Sequence, residues 1–530
     1  MIKKKVFDSK FVAPLSSHAR TRVCFVSEPC FVSFHSGACS KAGGEHGRRS
    51  QRRLMAGPLR VVRLFVLVMI VTTVYAGSGA SFATHEPHLT AWDPLEAVES
   101  FIVSFPEQEL SEPDDLDRAL DELPVECAVR RLRRTLRGAV LKMRASQARA
   151  FQEKHPSVSL ERDAVVTAQG FRTFGTQNEN DTVRAFSEDP SEVVASSTYT
   201  VEQQRALHWG LDRVDQRMLP LDNTVPQDSN AGAGHIVYVV DSGVRSDHVD
   251  LQNRVFTEFD SIKKNTYGAD DCYGHGTAVA SLAAGSKAGL APGASIVSIR
   301  VLDCQGNGLV SDVVSGLETV AEHFAALKML QSKKNNNFLP TAALTLSLGV
   351  PAGRASRSLD AAVRSVVEQH SIAVVAAAGN DVGSERRSDA CDFSPGRVAS
   401  AITVGASDTT DRAWTDGMTG RCVDVFAPGV RVLGASHENP NTFVEWTGTS
   451  MAAPIVAGAV LANTRNSKNE ILQAATNGVL WDERFSYEQT VTTVYDEMRG
   501  DTQWGPERFR GPRPGRVLPG TPNALLFHRG

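Results

Sequence analysis

The chain has 530 residues, a formal net charge of -4, 42% hydrophobic and 7% aromatic residues. That suits one or two globular domains with a sizeable core, and the near-balanced charge argues against nucleic acid as a partner. Arginines cluster at Arg130, Arg131, Arg133, Arg134 and Arg137, on a segment that reads as helix flanked by acidic residues, where a solvated face is the expectation.

Residues 1–54 precede Met55 as an N-terminal extension, either an untranslated upstream stretch or the cytoplasmic tail of a type II signal anchor. Within 55–83, Arg60 and Arg63 lead into Leu64-Phe65-Val66-Leu67-Val68-Met69-Ile70-Val71, and small residues follow at Ala76, Ala80 and Ala83. The apolar core is short for a membrane span, so a secretory signal peptide is expected and the protein is read as secreted. A membrane partner follows only if residues 59–83 stay as an anchor.

Glu99 to Phe105 alternates as a strand, Leu116 to Glu153 reads mainly as helix, and strand patterns return at Ser157–Leu160 and Ala164–Val166. Residues 99–170 therefore form a small α/β module. Residues 171–202 lose periodicity and gain Glu179, Asp181, Glu188, Asp189 and Glu192, as an acidic linker does; Asn180-Asp181-Thr182 in it is an N-glycosylation acceptor pattern.

From Trp209 onward, apolar β-rich runs at His235–Val240, Ser295–Ile299, Ala343–Ser347 and Ile372–Ala376 alternate with helical stretches such as Leu309–Leu330 and Ser358–Gln369. Strands buried on both faces and separated by helices predict an α/β fold, a mostly parallel sheet with helices on both faces. Functional residues in such sheets lie beyond the carboxyl ends of the strands. Four stretches stand there. Val239-Val240-Asp241-Ser242-Gly243 puts a carboxylate straight after a buried strand, where it needs a partner. Gly274-His275-Gly276-Thr277 leaves an imidazole accessible at a helix start, Ala378-Gly379-Asn380 offers a side-chain amide, and Gly448-Thr449-Ser450-Met451 offers a hydroxyl. A nucleophilic serine needs a base, a carboxylate to orient that base and donors for the oxyanion; each type is present.

The order Asp241, His275, Ser450 is that of subtilisin. With "VVDSGV", "GHGTAVA", "SIRVLDCQGNG", "LSLG", "AAAGN", "VDVFAPG" and "GTSMAAPIVAG", residues 203–530 resemble a subtilisin-family serine protease, most closely its proteinase K branch. The resemblance implies a subtilisin-like fold and a self-processing endopeptidase acting on peptide or protein substrates. Ser450 would be the nucleophile, His275 the general base, Asp241 its orienting carboxylate and Asn380 an oxyanion donor. Ser347-Leu348-Gly349 and Ala376-Ala377-Ala378-Gly379 would wall the pocket for the side chain before the scissile bond. These walls carry no charge, so apolar or broad specificity is expected. Gln305-Gly306-Asn307-Gly308 would be an edge along which substrate lies as an added strand.

The same resemblance implies bridges Cys272–Cys304 and Cys391–Cys422, where cysteine count alone leaves three pairings of four. It implies no cofactor for catalysis, a structural calcium touching Asp424, and a module at 99–170 that acts as an inhibitory propeptide. The linker is longer than the branch pattern, which puts maturation anywhere from Ala168 to about Thr200. A charged, Arg- and Pro-rich insertion at 481–516 has no functional reading. The competing expectation is a protein that cuts itself once, keeps its propeptide and then works as a binding partner.

Overall fold

The computed structural model describes residues 97–106, 115–121, 128–169, 171–172, 209–225, 228–262, 271–333, 338–351, 354–381, 389–463, 467–481 and 521–528. The extension 1–54, the signal segment, the Asn180 pattern, nearly all of the acidic linker and nearly all of the insertion lie outside the described residues. All described residues belong to one compact unit, Ala91–Gly530. None of the described helices is long and apolar enough to cross a membrane.

Strands β1 (Val98–Ser104), β2 (Ala128–Leu132), β3 (Gly138–Arg144) and β4 (Ser159–Arg162) form an antiparallel sheet in the order β2-β3-β1-β4, with helices α1 (Asp115–Asp121) and α2 (Ala145–Lys154). The helix expected from Leu116 to Glu153 is therefore two helices with two strands between them. The reason is a period of two: Ala139, Leu141 and Met143 pack with Phe101, Val103 and Phe151, while Val140 packs on the opposite side with Ile102 and Leu132. Gly138 permits the pairing, because a Cβ there would collide with the carbonyl oxygen of Val103. The arginine cluster thus lies on β2 and the turn after it, where Arg133 pairs with Asp117 at 2.8 Å and Arg130 donates to Thr319 Oγ1 at 2.7 Å.

Strands β5 (Val165–Ala168) and β6 (Phe171–Arg172) follow, and then the larger sheet. Its members include β7 (Ile236–Asp241), β8 (Val255–Asp260), β9 (Ser295–Arg300), β11 (Ala342–Leu346), β13 (Ala373–Ala377), β14 (Ile402–Ser407) and β15 (Val425–Pro428). With β18 (Thr476–Asn477) and β19 (Ala524–Leu525) the order is β18-β19-β15-β14-β13-β11-β7-β9-β8, parallel throughout except at β18-β19. Helices α3 (His275–Ala284) and α6 (Thr449–Ala462) cover one face; α4 (Val310–Lys333) and α5 (Arg357–His370) cover the other. Within β7, Val237 and Val239 join the first layer while Ile236, Tyr238 and Val240 join the second, so the strand is apolar on both sides as the sequence predicts.

Two small sheets lie outside this frame. β10 (Asn307–Leu309) and β12 (Leu348–Gly349) receive β5 between them, and β17 (Phe443–Thr447), paired with β16 (Val432–Ala435), receives β6. The module is also bound by packing: Ile102, Leu132 and Val140 share one apolar cluster with Val313 and Leu317 of α4. Cys272–Cys304 and Cys391–Cys422 are disulfide-bonded, the pairing that the resemblance implies.

Candidate active site

β7 is buried along its whole length and ends on Asp241. A charge placed there must be solvated by the protein itself. The N–H of Ser242 donates to Asp241 Oδ1 at 2.8 Å, and His275 Nδ1 lies 2.9 and 3.0 Å from the two carboxylate oxygens. A carboxylate on Nδ1 assigns the ring proton to that nitrogen and leaves Nε2 with its lone pair. Nε2 is buried and has no hydrogen-bond partner among the described residues. The Trp446 ring stands edge-on to the imidazole at 5.6 Å and limits its tilt. Gly276 is required here, since a Cβ would strike the carbonyl of Gly243 in the turn after β7.

Asp271 ties this turn together, a role that sequence reasoning missed. Its Oδ1 accepts from Ser242 Oγ at 2.9 Å and Gly274 N at 2.7 Å, and its Oδ2 accepts from Thr277 N at 2.9 Å and Thr277 Oγ1 at 2.7 Å. An acid just before a helix satisfies the first-turn N–H groups and complements the helix dipole. Its position four residues before His275 was the available signal.

Ser450 is the second residue of α6, so its backbone N–H has no acceptor within the helix. That N–H donates to the carbonyl oxygen of Gln169 at 3.1 Å, and Asn380 Nδ2 donates to the same oxygen at 2.6 Å. The amide of Asn380 is oriented from behind, because its Oδ1 accepts from Thr449 N at 3.1 Å and Thr449 Oγ1 at 2.7 Å. Two fixed donors on one carbonyl oxygen are what stabilises negative charge developing there. The Ser450 hydroxyl donates to Ser347 O at 3.0 Å, an oxygen that also accepts the N–H of Gln169 at 3.0 Å. To meet His275 Nε2, the hydroxyl must turn away from Ser347.

The chain arrives at Gln169 as a strand held on both edges. Val166 pairs with Gly308, Thr167 with Gly349 and Ala168 with Leu348, and the N–H of Ala168 donates to Gly306 O at 2.9 Å. Gly308, Ser347, Leu348 and Gly349 therefore gather around this strand. Ala376, Ala377 and Ala378 do not line it in the same way: Ala376 and Ala377 are paired within the large sheet, and the N–H of Ala378 donates to Val404 O. The contact from this run comes at Asn380, which follows Gly379 and whose N–H donates to Gln169 Oε1 at 3.1 Å. The side-chain amide nitrogen of Gln169 turns back to Thr167 O and Oγ1. Nothing in the pattern around Gln169 marks it in the sequence.

Three carboxylates hold the module at a distance from the chemistry. Glu161 Oε2 accepts from Ser358 N and Ser358 Oγ, both at 2.8 Å, and Asp163 Oδ1 accepts from Ser311 N at 2.9 Å. Each sits at the first turn of a helix, α5 and α4 respectively, where N–H groups are free. In the other direction, buried Glu318 of α4 accepts from the N–H groups of Arg133, Arg134 and Thr135 and from Thr135 Oγ1.

Asp424 does not fit the calcium expected of it. Lys468, at the start of α7 (Lys468–Ala474), places Nζ 2.6 Å from Asp424 Oδ2, which also accepts from Thr403 N at 2.8 Å. Burial pushes the Asp424 carboxyl up, and the lysine already supplies the countercharge that a cation would bring. Among the described residues, no group of three or more His, Cys, Asp or Glu is arranged to hold a metal ion.

A model of the subtilase family matches residues 232–493. The chain is 37% identical over 322 residues to alkaline serine exoprotease A of Vibrio alginolyticus, covering 59% of this chain and 55% of that one. It is 40% identical over 251 residues to the extracellular serine proteinase of Thermus sp. (strain Rt41A), covering 47% of this chain and 55% of that one. Against subtilisin-like protease 3 of Pseudogymnoascus destructans it is 34% identical over 295 residues, covering 54% of this chain and 68% of that one. The chain thus spans just over half the length of the first two relatives.

Proposed function

Since the chain belongs to the subtilase family, we propose that it is a serine endopeptidase that hydrolyses peptide bonds with Asp241, His275 and Ser450 and first processes itself. Ser450 attacks a carbonyl carbon, His275 Nε2 takes the hydroxyl proton and later returns it to the leaving amine, and Asp241 stabilises the imidazolium. Asn380 Nδ2 and the N–H of Ser450 hold the oxyanion. The observation that carries this reading is the convergence of those two donors on one carbonyl oxygen, together with an imidazole whose Nδ1 faces Asp241 and whose Nε2 has no partner among the described residues.

The neutral side chain of Gln169 and the uncharged Ser347-Leu348-Gly349 wall support broad or apolar rather than basic specificity. Export is supported by the segment 55–83, by the two disulfides and by a relative described as extracellular. The module at 99–170 acts as an inhibitor in the cleft until it leaves. The test is peptide hydrolysis by the purified protein against Ser450→Ala, with an expected loss of about 10⁶ in kcat. Equal activity in the two would sink the reading and leave a binding role for the processed protein.

A further inference from the structure

The maturation range expected from sequence, Ala168 to about Thr200, spans some thirty peptide bonds. We propose that one of them, the bond joining Gln169 to Gly170, is the first bond the protein cuts. This rests on the endopeptidase reading above and adds to it the identity of the first substrate.

Three independent constraints select the carbonyl. The first is electrostatic: among backbone carbonyls of the described residues, that of Gln169 receives both Asn380 Nδ2 at 2.6 Å and the N–H of Ser450 at 3.1 Å. The second is register. Val166, Thr167 and Ala168 are paired to Gly308, Gly349 and Leu348, and the N–H of Gln169 donates to Ser347 O. A slip of one residue would break these ladders on both edges and turn each side chain to the opposite face. The third is the continuation of the chain, since Phe171 and Arg172 pair antiparallel with Thr447 and Trp446, immediately before the Ser450 turn. Main-chain pairings thus bracket the Gln169 carbonyl, at Val165–Ala168 before it and at Phe171–Arg172 after it, as they would for a bound substrate.

Remote anchors make the register a property of the fold. Glu161 and Asp163 dock on the first turns of α5 and α4, and Asp163 lies two residues before the strand that enters the cleft. Glu318 holds the Arg133–Thr135 turn at the other end of the module. With these points pinned, the short stretch from Asp163 to Gln169 brings Gln169, rather than a neighbour, to the two donors.

The step balances as an ordinary hydrolysis. Ser450 Oγ adds to the Gln169 carbonyl carbon and its proton passes to His275 Nε2. The bond to the Gly170 nitrogen then breaks, and that nitrogen leaves as an amine carrying the proton. Water hydrolyses the ester, giving a Gln169 carboxylate and free Ser450. The new carboxylate forms where both donors already point, and β5 keeps its pairings. The acidic stretch after Arg172 consequently departs on the peptidase side of the cut, not with the inhibitor.

Intact-mass analysis of both fragments, taken through a time course of the full-length chain and of Ser450→Ala, tests this. The expected result is a small fragment ending at Gln169 that co-elutes with the peptidase on a sizing column, and an uncut Ser450→Ala chain. The C-terminus of the small fragment is the decisive end, because later trimming of the acidic stretch moves only the other one. A first small fragment ending anywhere else, from protein that hydrolyses an added peptide, overturns the proposal and leaves the endopeptidase reading intact. Protein that neither cuts itself nor hydrolyses the peptide overturns both. As a second variant, Gly170→Pro removes the departing N–H and crowds the leaving nitrogen; a tenfold or greater slowing of the first cut is expected, and an unchanged rate and product would also overturn the assignment.

Discussion

Glu318 Oε2 accepts both the N–H and the hydroxyl of Thr135, at 2.9 and 2.8 Å, while its Oε1 takes the N–H groups of Arg133 and Arg134 at 2.8 Å. A buried carboxylate is stabilised by such donors, so each side needs the other. Replacing Glu318 with Ala leaves three N–H groups of the turn without acceptors. The expected cost to docking is about 3 kcal/mol, roughly a hundredfold in affinity. Sizing of the processed Glu318→Ala protein should show the small fragment separating from the peptidase at concentrations where the unaltered complex stays whole.

Removing the Asn380 amide should lower kcat by about 10²–10³ with little change in KM, because its donor acts on charge that forms after binding. Thr449 positions that amide through Oγ1 at 2.7 Å. Thr449→Val should therefore lose kcat by about tenfold, again with KM nearly unchanged, and Thr449→Ser should restore it. Steady-state kinetics on one peptide substrate reads both.

Docking of the module should weaken as pH rises through about 6. Burial, and secondarily the nearby Asp163, push the Asp312 carboxyl up to about 6; a hydrogen bond with Ser261 and the charge of Lys142 oppose the shift. When the module leaves, Asp163 goes with it and Asp312 is rehydrated, so its pKa falls toward the ordinary carboxylate range near 4. A group whose pKa is raised in the docked state contributes stability that is present below the undocked value and is lost as pH climbs through the docked one. Retention measured from pH 4 to 8 should fall across the interval from about 4 to about 6, and Asp312→Asn should flatten that part of the profile.

The bridge Cys272–Cys304 joins positions 32 apart in sequence and closes a loop that contains His275. Its removal by a Cys272→Ser, Cys304→Ser pair should cost about 3–4 kcal/mol in the chain-entropy account. Calorimetry should register a Tm lower by several degrees.

Much of the frame was legible because the large sheet is buried on both faces. Runs such as His235–Val240 show this directly, and Asp241, His275, Asn380 and Ser450 stand at element ends where a parallel sheet presents function. What stayed hidden depends on contacts distant in sequence. Gly138–Arg144 resembles helix until β1 is placed opposite it, since its two apolar faces serve two different cores. The countercharge on Asp424 comes from Lys468, 44 positions later, and no local pattern announces it. Glu318 reads as one more acid on a helix until a turn from the module meets it.

The pairing of β5 with β10 and β12 survives a cut at its far end, since none of those hydrogen bonds crosses the Gln169–Gly170 bond. Before cleavage the strand is tethered and meets the cleft at a high effective concentration; afterwards it is held by mass action alone. On the proposed cut, cleavage and activation would be separate events, the first governed by Ser450 and the second by dilution. A concentrated solution of the cut protein would then remain quiescent and become a protease as it spreads.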